Sequence, residues 1–246
     1  GGGGGGGGSA RVDRRPMTTH DRAVLQRVLH GLGFPEAIPT GGKDPCLTPW
    51  HHFSSLNPLP DTTIKDNPNP VLVRCHIDGN VTEIELSRLK LKGRLLPDVG
   101  RLRTLRTLSL HNNAITGPLP DALGSLAQLE YLLLYKNQIT GVLPSSLTEC
   151  KSLIALVVYS NRLTGPLPSA IGHLRTQLQV LDVSYNAMSG TIPGSIGHLI
   201  ALTDMDLSHN EFSGHIPASV QTLPAIKRFR YSDNRFANTV ANAGIT

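Results

Sequence analysis

Large rings are scarce in this chain: aromatic residues make up 4% of its 246 positions, with a single Trp. Any core must therefore be assembled from Leu, Ile and Val. No apolar run reaches the roughly 18 residues that a membrane helix needs. Recognisable catalytic chemistry is missing too. There is no G-x-S-x-G elbow, Walker loop, H-E-x-x-H pair or kinase signature. Gly31-Leu32-Gly33 runs on to Glu36 rather than to a third Gly, so it is no dinucleotide fingerprint. His51-His52 is the nearest approach to a metal pair, but adjacent side chains on an extended segment point apart, and no second ligand pair stands at suitable spacing. These absences predict a binding module without enzyme activity, cofactor or metal.

Glycine (25) and proline (18) are abundant, which marks a turn-rich chain without long uninterrupted helices. Gly1 to about Pro16 reads as a flexible Gly-rich linker or tag, since it opens on eight glycines. A net charge of +5 is mild. The bases nevertheless cluster at Arg88, Lys90, Lys92, Arg94, Arg101, Arg103 and Arg106, against Glu83, Glu85 and Asp98. An ordinary solvated flank and a site for an acidic polymer both fit such a run. No aromatic residue is interleaved with these bases, which argues against nucleic acid.

Self-similarity decides the architecture. Asn113, Asn137, Asn161, Asn186, Asn210 and Asn234 recur every 24 residues, with one interval of 25. Gly117, Gly141, Gly165, Gly190 and Gly214 follow the first five by four residues, and a Pro follows each Gly by three. Units begin at Val81, Leu105, Leu129, Leu153, Leu178, Leu202 and Ile226, seven in all with the last incomplete. The Val81 unit has Leu89 where the Asn is expected, and the extra residue of the long unit falls in a loop near Arg175–Gln177. Within a unit, L-x-x-L-x-L turns leucines inward from a short strand, while alternation leaves the intervening residues outside. The recurring Asn offers amide donors and a carbonyl acceptor to backbone where the strand turns away. The Gly permits a sharp bend, and the Pro is expected to keep the chain out of helix. No unit buries its face alone, so stacking makes one continuous core.

The unit L-x-x-L-x-L-x-x-N-x-L-x-G-x-[IL]-P resembles the plant-type leucine-rich repeat. That class occurs in receptor-like kinase and receptor-like protein ectodomains and in polygalacturonase-inhibiting proteins. The resemblance implies an α/β fold: a right-handed solenoid with a parallel sheet on its concave face and a helical, disulfide-linked cap at its N-terminal end. The expected division is linker 1–16, cap 17–80 and repeats 81–246. Thr19–His30 reads as the cap helix, with Thr18 or Thr19 as N-cap and Val24, Leu25, Val28, Leu29 and Leu32 as its apolar stripe. Asp44-Pro45-Cys46, Trp50 and Val73-Arg74-Cys75 are similar to the family's cap motif. There the two cysteines are bridged, which implies a Cys46–Cys75 disulfide and an oxidising compartment. The sequence departs from the family by a Pro-rich insertion between Trp50 and Cys75. Cys150 occupies a buried repeat position and reads as a core residue. Asn80-Val81-Thr82 is a glycosylation sequon, in keeping with secretion to the cell surface or cell wall.

Outward strand positions form columns. The third gives Glu83, Thr107, Tyr131, Ala155, Val180, Asp204 and Arg228; the fifth gives Glu85, Ser109, Leu133, Val157, Asp182, Asp206 and Arg230. The seventh gives Ser87, His111, Tyr135, Tyr159, Ser184, Ser208 and Ser232. The eighth gives Arg88, Asn112, Lys136, Ser160, Tyr185, His209 and Asp233. Four of the five tyrosines thus fall on positions expected to face solvent, with Leu133, Val157 and Val180 among them, an exposed apolar patch suited to contact. Asp182, Asp204 and Asp206 follow as an acidic zone, and Lys227, Arg228 and Arg230 close the array. The expected ligand is a protein or peptide, with an acidic polysaccharide as a second candidate partner. The resemblance implies the ectodomain of a receptor-like protein or co-receptor. Its alternatives are an inhibitor of a cell-wall-degrading enzyme and a structural subunit of a surface assembly.

Overall fold

A computed structural model describes residues 15–34, Cys46 and 72–237; Trp50 and the Pro-rich insertion lie outside the described residues. Helix α1 spans Thr19–Gly31. Thr18 caps it, its Oγ1 accepting from the Asp21 amide at 3.1 Å. Asp21 is buried, and its carboxylate accepts from the Val81 amide at 2.7 Å, which fastens the helix to the first repeat strand. Val24, Leu25, Val28, Leu29 and Leu32 cover the end of the repeat core. The helix leaves through a close contact: Gly31 and Leu32 carbonyls accept from the Arg94 and Gly93 amides. A Cβ on Gly93 would stand 1.9 Å from the Gly31 oxygen, so only glycine fits. Strand Leu72–Cys75 pairs antiparallel with Val81–Glu85. Cys75 is bridged to Cys46, with Cα atoms 5.2 Å apart.

From Val81 onward the main sheet is parallel. Strands Val81–Glu85, Thr107–Ser109, Tyr131–Leu133, Ala155–Val157, Val180–Asp182, Asp204–Asp206 and Arg228–Arg230 stack in chain order. Leu105, Leu108, Leu110 and their counterparts in the first six repeats are buried in one continuous apolar core, while Ile226 and Phe229 of the seventh are partly buried against it. Cys150 is a free, buried thiol within it.

The asparagine column behaves as the residue chemistry predicts. Asn137 donates from Nδ2 to the Leu134 and Leu110 carbonyls, both at 3.0 Å. Its Oδ1 accepts from the Ile115 amide at 3.0 Å. Each rung thus serves its own repeat and the one before it. Leu89 is tolerated in the first repeat because the carbonyl that an Asn there would serve, that of Leu86, already accepts from Asn113 Nδ2 at 2.8 Å. The residue before each rung is left-handed: Arg88, Asn112, Lys136, Ser160, Tyr185, His209 and Asp233 have φ between 52° and 58°. This conformation is unfavourable for all but Asn, Asp and Gly, so the ladder must hold it in place.

Two features differ from the sequence reading. A second parallel sheet runs along one flank, from Thr116–Pro118 through Gln138–Val142, Arg162–Gly165, Ala187–Thr191 and Glu211–Gly214 to Arg235–Phe236. Its glycines, such as Gly117 at φ 76°, turn the chain here. The repeat prolines do not keep the chain out of helix. Pro120, Pro144, Pro193 and Pro217 each immediately precede a 3₁₀ turn, as at Asp121–Ser125, where their fixed φ suits helix entry. The extra residue of the long unit is taken up after Ile171–Leu174, and Val180 still pairs in register with Ala155.

Replacing Asn137 with Ala would orphan the Ile115 amide inside the wall, while the Leu110 and Leu134 carbonyls keep Asn113 and Asn161 as donors. We expect a loss of roughly 1–3 kcal/mol in urea unfolding, the cost of one unsatisfied buried group.

Candidate functional site

The strand register brings the third and fifth columns together as read from the sequence. Thr107, Tyr131, Ala155, Val180, Asp204 and Arg228 are successive partners, as are Ser109, Leu133, Val157, Asp182, Asp206 and Arg230. Neighbouring strands lie about 4.8 Å apart. Side chains on this face therefore pack sideways as well as projecting outward.

That sideways packing corrects the expected exposure. Val157, Val180 and Asp182 were expected to face solvent, yet they are 2%, 3% and 8% exposed. With Ala155 the two valines form an apolar cluster separate from the core, and Tyr131, Leu133, Tyr135 and Tyr159 pack around it. What meets solvent is the half-buried rim of tyrosines and Leu133.

The seventh column forms a stack of rings. His111 lies on Tyr135 with centroids 4.4 Å apart, and Tyr135 on Tyr159 at 4.6 Å, with ring planes nearly parallel in both pairs. Tyr185 sits one column over, stacks on His209 at 4.0 Å, and is 55% exposed. Stacking freezes the rings before any partner arrives, which lowers the entropy cost of binding. Sequence reading placed His111 in the column but gave no sign of the stack. Rings at the same position of three consecutive units are the signal that would have found it.

Charge is arranged beside the rings. Burial, then Arg88 and Lys136, holds His111 down at about 4, so it is neutral at pH 7. Burial, then Tyr159, pushes Tyr135 up to about 12. Asp182 accepts from the Ser184 amide and hydroxyl at 3.0 and 2.7 Å, and burial pushes its carboxyl up to about 6. Asp206 repeats the arrangement with Ser208, at 2.9 and 2.6 Å. Asp204 is paired with Arg228, and Asp206 lies 3.6 Å from Arg230. The acidic zone and the basic close of the array thus meet as ion pairs. Asn80 is partly exposed at the start of the first repeat strand. Among the described residues, no group of three His, Cys, Asp or Glu is placed to hold a metal ion.

A core of repeated leucine strands locked by an asparagine ladder defines the leucine-rich repeat class. Models described as leucine rich repeat match residues 103–163, 177–199 and 201–223. The chain carries leucine-rich repeats of the plant type. Among solved structures it is similar to the plant peptide hormone receptor RGFR1 in complex with RGF2. That match has 32% identity and a TM-score of 0.63, over 64% of this chain and 25% of that one. The Arabidopsis receptor kinase HAESA, in complex with the peptide hormone IDA and the co-receptor SERK1, matches at 31% with a TM-score of 0.61. It covers 63% of this chain and 26% of that one. Pollen receptor kinase 3 matches at 27% with a TM-score of 0.65, over 83% of this chain and 89% of that one. The chain thus spans about a quarter of the first two and most of the third. A search of curated proteins finds no match.

Asp182 and His111 oppose each other in their dependence on pH. The raised Asp182 pKa means that the fold loses stability as pH rises from about 4 to about 6. The lowered His111 pKa means that stability is present above about 6.5 and lost as pH falls toward about 4. The two slopes offset each other across this window. Asp182→Asn keeps the serine contacts but removes one slope, so acidification from pH 6.5 to 4.5 should cost the variant about 2 kcal/mol more than wild type in thermal or urea unfolding. Parallel pH profiles for the two proteins would refute this assignment.

Proposed function

We propose that this chain recognises a peptide or protein along the concave sheet, as part of the extracellular portion of a receptor-like protein or co-receptor, and that it performs no catalysis. The observation that carries the reading is the second apolar cluster. Ala155, Val157 and Val180 lie on the ligand side of the sheet, away from the core, ringed by stacked tyrosines. An apolar, aromatic surface preset in one conformation and flanked by charge is the composition of a binding hot spot. The expected contact residues are Tyr131, Leu133, Tyr135, Tyr159 and Tyr185, with Val157 and Val180 as the floor and Asp182, Asp204 and Asp206 as the polar edge. RGFR1 and HAESA are seen with a peptide partner and a peptide hormone, respectively, which supports the same use here. The Cys46–Cys75 bridge suits an oxidising compartment. No helix among the described residues is long and apolar enough to cross a membrane. An acidic polysaccharide partner would need a different surface, since this face offers no free row of cations.

A library of secreted peptides and ectodomains, screened against wild type and against the Tyr135→Ala/Tyr159→Ala double variant, tests the site. Partners found with wild type should bind the double variant about 100-fold more weakly, at roughly 2–3 kcal/mol for two hot-spot rings. Its unfolding should stay cooperative. Undiminished binding would move the site off this face.

Peptide mapping of protein from its native source tests the compartment. The Cys46–Cys75 bridge should be present and Asn80 should carry glycan. Free thiols with an unmodified Asn80 would contradict secretion.

A further inference from the structure

Seven Lys and Arg side chains among the described residues meet carboxylates. Arg27 meets Asp98 at 2.6 Å, Arg74 meets Glu83 at 3.4 Å, and Arg106 meets Glu130 at 3.1 Å. Arg235 meets Glu211 at 3.1 Å, Lys151 meets Glu149 at 3.3 Å, and Arg228 and Arg230 meet the aspartates of the preceding repeat. The flank of the first repeat is different. Arg88, Lys90, Lys92 and Arg94 are exposed at alternate positions, while Leu89, Leu91 and Leu95 turn toward the core. Lys90, Lys92 and Arg94 have no carboxylate partner among the described residues. The three acids nearest in sequence are engaged elsewhere: Glu83 with Arg74, Asp98 with Arg27, and Glu85 through the Ser87 amide at 3.1 Å. Lys90, Lys92 and Arg94 thus form a short row of like charges without a described carboxylate partner, and the repulsion within it is relieved by an anionic partner.

The surface next to the row lacks acids and is rich in hydroxyl and amide groups. Arg94 pairs with Thr116 as an isolated bridge, and Thr116 pairs with Gln138 in the second sheet. Thr116, Gln138, Thr140, Arg162 and Thr164 stand outward, while Ile115, Ile139 and Leu163 turn in. Segments 112–118, 136–142, 160–166 and 185–191 contain no Asp or Glu. The Arg94 stem is laid along this surface, because a Cβ on Gly117 would come within 2.6 Å of its Cδ.

We propose that this flank binds an acidic polysaccharide of the polyuronate class. Sugar carboxylates meet the row of Lys90, Lys92 and Arg94, and sugar hydroxyls meet the Thr and Gln side chains of the second sheet. The row carries no aromatic ring on which a base could stack, which disfavours nucleic acid. The adjoining hydroxyl and amide groups suit a polyol better than the side chains of an acidic peptide. The site is on a different face from the tyrosine cluster and stands without it.

Fully de-esterified oligogalacturonide, titrated by calorimetry into wild type and into Lys90→Gln/Lys92→Gln/Arg94→Gln, is the probe. Wild type should bind, with affinity falling as salt is raised. The triple variant should bind about tenfold more weakly or not at all, with an unchanged melting temperature, since all three side chains are exposed. Methyl-esterified oligomer should not bind. The Tyr135→Ala/Tyr159→Ala variant should bind like wild type, which separates failure here from failure of the concave-face reading. No binding by wild type, or equal binding by the triple variant, would overturn the proposal. Polyglutamate binding as tightly as the sugar would overturn the assignment to a polysaccharide.

Discussion

The asparagine at the ninth position of every repeat after the first closes backbone hydrogen bonds in two repeats at once, and the other regularities of the solenoid follow from that. Its amide takes one carbonyl from its own strand and one from the strand before, as Asn161 does with Val158 and Leu134, both at 3.0 Å. Its oxygen holds an amide of the preceding repeat. A rung can form only when adjacent strands sit in one register. The ladder therefore fixes the pairing of short strands that would otherwise be free to slip. It also offsets the strain of a left-handed residue beside every rung, including bulky Tyr185 and Lys136. The surface geometry is inherited from this buried constraint.

Fixed register is why so much could be read from the letters alone. A strict period assigns each residue a column, and the columns of strand partners match those read from spacing, Glu83 to Arg228 and Glu85 to Arg230. Facing outward is a different matter from being exposed. Ala155, Val157 and Val180 point away from the core and are still covered, because larger neighbours in adjacent columns close over them. Periodicity names the column, whereas the sizes of residues 24 positions away decide the burial. The second sheet escaped notice for a related reason. Its strands carry Gly and Pro at positions that signal turns, and only stacking against identical segments makes them pair. The left-handed residues were equally hidden, since Ser160 or Tyr185 gives no local sign of a positive φ.

Electrostatics on the two faces follow opposite designs. On the concave face acids are balanced locally, by serine hydroxyls and amides at Asp182 and Asp206 and by arginines from the next repeat. The balance falls between repeats, so removing one partner disturbs a neighbour, as expected for coupled buried groups. On the flank of the first repeat the acids nearest the cations are drawn off by the cap, which supplies Arg27 and Arg74. Docking the cap thus leaves the Lys90–Arg94 row uncompensated. Whether that row acts is therefore tied to the integrity of the cap, through the Asp21 contact to Val81 and the Cys46–Cys75 bridge.

The asymmetry between the ends of the array follows from how the ladder is shared. A rung completes the repeat before it, so the first repeat needs a neighbour only on its N-terminal side, and α1 with the antiparallel strand Leu72–Cys75 supplies it. The first repeat can then dispense with its own Asn, and Leu89 packs partly against the core. The seventh strand is in a different position. Asn234 serves the Phe212 amide at 2.9 Å, while Phe229, Tyr231 and Phe236 gather around the end of the core. Phe229 and Tyr231 stand at the strand positions that Leu108 and Leu110 hold in an earlier repeat, and with Phe236 they cover apolar surface. Partly buried aromatics do this while keeping one edge toward water.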